Sequence, residues 1–225
     1  ALWIDARVMD RPQVIIGGGS RERKLLVPPA TLARHPGAVV VDDLAIGSPD
    51  KDIGAETDAG GVQIVYGSAL GLITDGNVFF RQGADGVSGA PEAADRFGAS
   101  LAIGDFDDDA FDDLAIGVAG ETIGDVEQAG AVHILFGSPA GLTGSGELLL
   151  YRGSELPGTP EAGELLGAAL AAGQFGGVQS GEDLAIGAPG SNGTSNLEAE
   201  GLVFVYRDVG AGLVVGQYTQ SFPGV

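Results

Sequence analysis

The chain has 225 residues, 44% of them hydrophobic but only 6% aromatic, with 40 glycines and no cysteine. Its net charge of −20 repels phosphate backbones and argues against a nucleic-acid partner. The missing cysteine removes disulfides, thiolate metal sites and cysteine nucleophiles, and no apolar run reaches the roughly 18 residues of a membrane-spanning helix.

Residues 1–50 carry six acidic and six basic side chains, so the whole net charge falls on residues 51–225. Residues 1–30 form a degenerate N-terminal segment in which Val14-Ile15-Ile16 is expected to be the outer strand of a preceding unit. Arg21, Arg23 and Lys24 read as a solvated turn. No leader peptide is visible, as expected of a mature form or of an expressed piece of a longer chain.

From there the chain repeats itself. Asp-Leu-Ala-Ile-Gly occurs at Asp43–Gly47, Asp113–Gly117 and Asp183–Gly187, 70 residues apart each time. Tyr66-Gly67-Ser68 is answered by Phe136-Gly137-Ser138, and Arg96-Phe97-Gly98 by Leu165-Leu166-Gly167 at a step of 69. A fixed period means one structural unit copied. The units are placed at 31–96 (eroded), 97–165 and 166–225. Within the second, Phe97–Ile103, Asp113–Gly117, Ala131–Phe136 and Leu148–Tyr151 are short apolar runs divided by Gly-rich or acidic loops. Four short strands per repeat are the anatomy of a propeller blade. Glu161–Ala172 is rich in helix formers, but its repeat position makes it a strand. The expected fold is all-β, a partial β-propeller of about three four-stranded blades.

The loop of the second unit, Asp105-Phe106-Asp107-Asp108-Asp109-Ala110-Phe111-Asp112-Asp113, has carboxylates at positions 1, 3, 5 and 9. On a tightly curled loop the first three converge, and position 7, Phe111, offers its carbonyl. Hard oxygen donors in this number suit Ca²⁺. An EF-hand is rejected, because position 12 is Ile116 rather than Glu. A merely solvated acidic turn is the alternative, and the 1-3-5-9 order disfavours it. Ala110 stands where glycine is expected. If that position needs positive φ, alanine costs ~1 kcal/mol there. In the third unit Gln174–Asp183 has lost the carboxylates at positions 1, 3 and 5, as has Arg34–Val39 in the first, so one metal site is expected.

Phe97-Gly98, the Asp105-x-Asp107-x-Asp109 loop and Asp113-Leu114-Ala115-Ile116-Gly117 together resemble the FG-GAP repeat. That repeat builds the β-propeller headpiece of integrin α subunits and occurs in many bacterial surface and secreted proteins. The resemblance covers about residues 31–222. It implies Ca²⁺ on Asp105, Asp107, Asp109, the Phe111 carbonyl and Asp113. It also implies a ligand-binding face on the loops Ser48–Gly60, Val118–Gly130 and Ala188–Gly201. A closed propeller of this family has seven blades, so further blades from the rest of the chain or another subunit are expected.

Three readings of function follow. The first is an extracellular, non-catalytic Ca²⁺-stabilised module that binds a protein or glycan ligand. The second is a propeller domain of a larger secreted enzyme, a hydrolase or lyase. The third is a structural subunit of a cell-surface assembly, pairing through open sheet edges. His133 lies mid-strand, where Gln63 and Val203 are its expected counterparts, and reads as a packed strand residue. Gly98–Ala102 only faintly resembles a nucleophile elbow, since no helix follows. Asn192-Gly193-Thr194 is a glycosylation triplet of a kind that chance often produces.

Overall fold

The computed structural model describes residues 14–17, 24–27, 43–68, 71–138, 140–175, 181–192, 201–207 and 216–218. Every regular element among them is a strand, and all the sheets are open and antiparallel where their register is defined. The chain divides into two units, one of 1–46, 63–79 and 139–141, the other of the remaining residues.

In the first unit β1 (Val14–Gly17) pairs with β2 (Lys24–Val27) as a separate two-stranded sheet. The expected outer strand at Val14–Ile16 therefore has a local partner. Lys24 begins β2 rather than lying in a turn. Most of a three-stranded sheet also lies here, β3 (Leu44–Gly47), β4 (Val62–Ser68) and β5 (Gly71–Phe80) in that order. The fourth strand expected near Thr31-Leu32-Ala33 lies outside the described residues.

The second unit holds two complete four-stranded meanders. One runs β6 (Ser100–Gly104), β7 (Asp113–Val118), β8 (Ala131–Leu135), β9 (Leu148–Leu150). The other runs β10 (Ala169–Gly173), β11 (Asp183–Ala188), β12 (Leu202–Tyr206), β13 (Gly216–Tyr218). The fold class read from the repeat is thus the observed one, sheets of propeller-blade type. Glu161–Ala172 forms turns and then β10, so the repeat overrode the local helix preference.

Strand alternation explains the packing of these two sheets. Ala102, Ala115, Val132 and Ile134 share one face of the β6–β9 sheet, because Ala102 pairs with Ala115 and Ala115 with Ile134. That face meets Leu184, Ile186, Leu202, Phe204 and Tyr206 of the β10–β13 sheet in one buried core. Both faces of β7 are buried, which is why its sequence after Asp113 is apolar throughout rather than alternating.

Register corrects one equivalence. Ile116 pairs with His133, whereas Ile186 pairs with Phe204. The counterpart of His133 is therefore Phe204, not Val203. The β11–β12 connection, 189–201, is one residue longer than 119–130 between β7 and β8, and a fixed step of 70 misses the insertion.

Candidate metal centre and the repeat joint

The β6–β7 loop is held by its own carboxylates. Asp105 Oδ1 accepts the N–H of Asp109 and Oδ2 that of Ala110, both at 3.0 Å. Asp109 Oδ1 accepts from Phe111 N at 2.8 Å. Asp108 and Ala110 take left-handed φ of 61° and 72°, the strain expected of a non-glycine at Ala110. The curl brings carboxylate oxygens of Asp105, Asp107 and Asp109 within 4.8 Å of one another, the only such acidic group among the described residues. Burial raises the Asp105 carboxyl above its ordinary range. Backbone N–H groups of Ala110 and Asp109 work against that rise, and the charges of Asp109 and Asp108 add to it. No lysine or arginine occurs between Gly104 and Asp113, so the chain supplies no cation of its own from within this loop. Three converging hard oxygens fit a Ca²⁺ ion.

Asp113 has a further role that the spacing did not reveal. It is 1% exposed. Its Oδ2 accepts from Phe106 N and its Oδ1 from Gly137 N, each at 2.8 Å. One carboxylate thus ties the start of the loop to the exit of β8. Burial pushes Asp113 up to about 7 despite those two hydrogen bonds, helped by the charges of Asp107 and Asp109. One half of the tie recurs in each repeat that has lost the carboxylates of positions 1, 3 and 5. Asp43 Oδ1 accepts from Gly67 N at 2.9 Å, and Asp183 Oδ2 from Phe175 N at 2.8 Å. Asp183 also pairs with Arg207 at 3.2 Å. Residues 176–180 of that third loop lie outside the described residues, as does Arg34–Val39.

The Phe-Gly half of the motif is a joint. Phe97 N donates to Ala59 O at 2.9 Å and Leu166 N to Ala129 O at 3.1 Å, so each connector clips onto the loop of the preceding repeat. Gly98 and Gly167 sit at φ of 89° and 83°, open to glycine but strained for other residues. Their carbonyls press on the last glycine of the preceding Asp-Leu-Ala-Ile-Gly. A Cβ on Gly47 would lie 2.1 Å from Gly98 O, and one on Gly117 2.1 Å from Gly167 O. The two glycines of the motif are therefore a matched contact between successive repeats. Ser100, centre of the discounted elbow, stands on β6 and donates Oγ–H to Gly167 O at 2.6 Å.

His133 is fully buried on β8, its ring 5.3 Å from that of Phe97. Its Nδ1 lies 2.8 Å from Glu147 Oε2, and Glu147 Oε1 accepts from Ser88 N at 2.6 Å. Burial would raise Glu147, but the bonds and charge of His133 and the bond from Ser88 hold it below its ordinary range. The pair ties β8 to the segments beside it, in line with a packed strand residue.

Residues 97–135 match the family model of the FG-GAP repeat. A 99-residue stretch is 33% identical to phosphatidylinositol-glycan-specific phospholipase D of Rattus norvegicus. The proteins of that name from Mus musculus and Bos taurus are each 31% identical over the same length. The matches cover 44% of this chain and 12% of each relative. No helix among the described residues is long and apolar enough to cross a membrane. The segment 97–135, which holds the Phe-Gly joint, the acidic loop and strands β6, β7 and β8, is thus similar to the FG-GAP repeat.

Proposed function

We propose that this chain is a Ca²⁺-stabilised β-propeller module that acts outside the cell in binding or adhesion, takes a protein or glycan ligand on its loop face, and has no catalysis of its own. The convergence of Asp105, Asp107 and Asp109 carries the metal half of this reading. Asp105, Asp107, Asp109 and the Phe111 carbonyl would hold the ion. Asp113 would complete the set, since each of its oxygens keeps a second lone pair beyond its backbone bond. Bound there, the ion offsets the repulsion of the carboxylates and pins the turn between β6 and β7. In the third repeat, Arg207 already pairs with the remaining aspartate, and no metal is proposed.

Calorimetric titration is expected to show one Ca²⁺ per chain. Asp107→Ala should lower the melting temperature in Ca²⁺ but much less in chelator, because an ion that binds only the native state stabilises it by mass action. Absence of a titratable site, or an equal loss in both buffers, would overturn the metal reading.

Further blades are the proposed partners. The face of β10–β12 turned away from the core carries Ala169 and Ala171, both exposed, and Val203 at 42% exposure. Among the described residues a Cβ on Gly187 would meet Ala169, at 3.5 Å, and no glycine carbonyl is pressed on it. The joint made at Gly47 and Gly117 thus has an open counterpart at Gly187, ready for another Phe-Gly connector from the rest of the chain or another subunit. Light scattering on the 225 residues should show self-association, or a partner should be required for cooperative unfolding. A well-behaved monomer with one sharp transition would refute the need for completion.

The phospholipase D relatives favour a second reading, a propeller domain of a larger secreted enzyme. The mass and hydrolase activity of the protein isolated from its source separate the two. A mass near 22.5 kDa without activity excludes the enzyme reading.

A further inference from the structure

Two connectors in the second unit follow the same path with different charges. Connector 81–99 leads from β5 to β6 and takes a hydrogen bond from the β7–β8 loop, Gly120 N to Asp95 O at 3.1 Å. Connector 151–168 leads from β9 to β10 and takes the matching bond, Gly190 N to Glu164 O at 3.0 Å. Each has a turn whose second carboxylate accepts from the first one's backbone: Glu92 N to Asp95 Oδ2 at 2.6 Å, and Glu161 N to Glu164 Oε1 at 3.2 Å.

In the later connector Arg152 fills the centre. Its Nη1 donates to Glu161 and Glu164, both at 2.7 Å, and reaches Ser191 Oγ at 3.4 Å. In the earlier one the corresponding residue, 70 positions back, is Gln82, and that of Ser191 is Glu121. The guanidinium has been lost and a carboxylate gained. Gln82 Nε2 donates to Glu121 Oε2 at 2.6 Å. Gln82 and Asp95 are each 1% exposed, and Gln82 Oε1 is buried without a hydrogen-bond partner.

The groups around this centre are acidic from every side. Glu92 and Asp95 come from the connector, Glu121 from the β7–β8 loop and Glu56 from the β3–β4 loop. The nearby cations are engaged elsewhere. Arg81 donates to the Gln82 carbonyl at 3.2 Å, and Arg96 pairs with Asp50 at 2.9 Å. Nor do these carboxylates form a metal cluster, since only the β6–β7 loop brings three together closely enough among the described residues. A proton is the remaining neutralising ligand.

We propose that the β5–β6 connector is a proton-binding joint, in which Glu121 and Asp95 take up protons in place of the charge that Arg152 supplies in the next connector. Gln82 suits both states. Its amide N–H donates to the ionised acid, and, turned over, its carbonyl accepts from the protonated one. Burial is the main cause of proton uptake. It pushes Asp95 up to about 6 against its bond from Glu92, with the Glu92 and Glu56 charges adding to the rise. It pushes Glu121 up to about 7 against its bond from Gln82, with the Asp95 and Glu92 charges adding. Both groups bind protons more tightly in the folded chain than in the unfolded one. Their stabilising effect is complete below the unfolded carboxylate range and is lost as pH rises through about 6 to 7.

The test compares the full chain with the double variant Gln82→Arg/Glu121→Ser, which copies the Arg152–Ser191 joint, in saturating Ca²⁺ between about pH 5 and pH 8. Asp113 is unchanged in both proteins, so any contribution from it cancels in the comparison. The wild type should lose stability with rising pH more steeply than the variant, by up to about tenfold in the unfolding constant per pH unit for each linked proton. Equal slopes would overturn the proposal. Glu121→Gln, which keeps shape and removes the titration, should flatten the slope too and serves if the double variant does not fold. Carboxyl-carbon NMR of wild-type Glu121 should give a midpoint near neutrality. A midpoint in the ordinary glutamate range would overturn the proposal.

Discussion

Gly117→Ala is expected to destabilise the chain by about 3 kcal/mol, while Gly187→Ala, the same change in the same five-residue motif, should stay within about 1 kcal/mol of wild type. At Gly117 the new methyl would lie 2.1 Å from the carbonyl oxygen of Gly167 and 2.2 Å from Ser100 Oγ. The serine hydroxyl can rotate, but the carbonyl is backbone. It is held by the Gly167 N–H bond to Gly187 O at 2.9 Å and by the Leu166 bond to Ala129. Relief therefore requires the β9–β10 connector to lift from the sheet below it. At Gly187 the nearest atom would be the Ala169 methyl at 3.5 Å, ordinary contact. Neither glycine has positive φ, so the difference isolates the joint from backbone preference. Urea unfolding of both variants decides it. Equal losses would show that these glycines serve strand geometry alone. A large loss at Gly187 would show that its face is already covered.

The repeat made most of this fold legible, and its limits follow from what a period can encode. Asp-Leu-Ala-Ile-Gly marked β3, β7 and β11, and in β7, buried on both faces, little room is left for other residue types. The strand count per repeat followed from turn chemistry. The strand start at Phe97 did not. Phe97 and Gly98 belong to the connector, and β6 begins at Ser100 because Phe97 N is committed to the preceding loop. The one-residue insertion before β12 was hidden by the apolar run Leu202–Tyr206, which reads equally well in either register, and it moved the counterpart of His133 to Phe204.

At the acidic loop, spacing placed Asp105, Asp107 and Asp109 together but gave no hint of the backbone tie made by Asp113. A signal existed. Asp43 and Asp183 persist in repeats that have lost the carboxylates of positions 1, 3 and 5, and an aspartate kept without a metal partner implies a structural bond. The Arg152 cluster escaped because its members are spread from Arg152 to Ser191 with no motif. The 70-residue step sets Arg152 against Gln82 and Ser191 against Glu121, but that these positions meet is evident only in space.

Arg152→Ala should cost about 3–5 kcal/mol, on the order of 10 °C in melting temperature. The reason is the charge left behind rather than the contact removed. Arg152 is 8% exposed and Glu164 1% exposed, so the carboxylate would be stranded away from water. Burial already holds Glu164 above its ordinary range despite the bonds and charge of Arg152. Glu161 is more exposed, and the Asn192 N–H and Arg152 hold it below that range against the effect of burial. Removing the guanidinium drives Glu164 further up. A raised folded pKa favours the folded state at low pH, so the variant should recover part of its loss on acidification. Wild type, with Arg152 present, lacks this added dependence at Glu164. Glu164→Gln in the Arg152→Ala background should restore stability at neutral pH, because it removes the stranded charge while keeping the shape. A loss below about 1 kcal/mol would mean that water reaches the site and the pair acts as an ordinary surface bridge. A full-sized loss that neither acid nor Glu164→Gln reverses would assign Arg152 to packing instead. Its side chain also lies against Gly158, whose missing Cβ would stand 2.6 Å from Nη2, so that outcome has a definite structural origin.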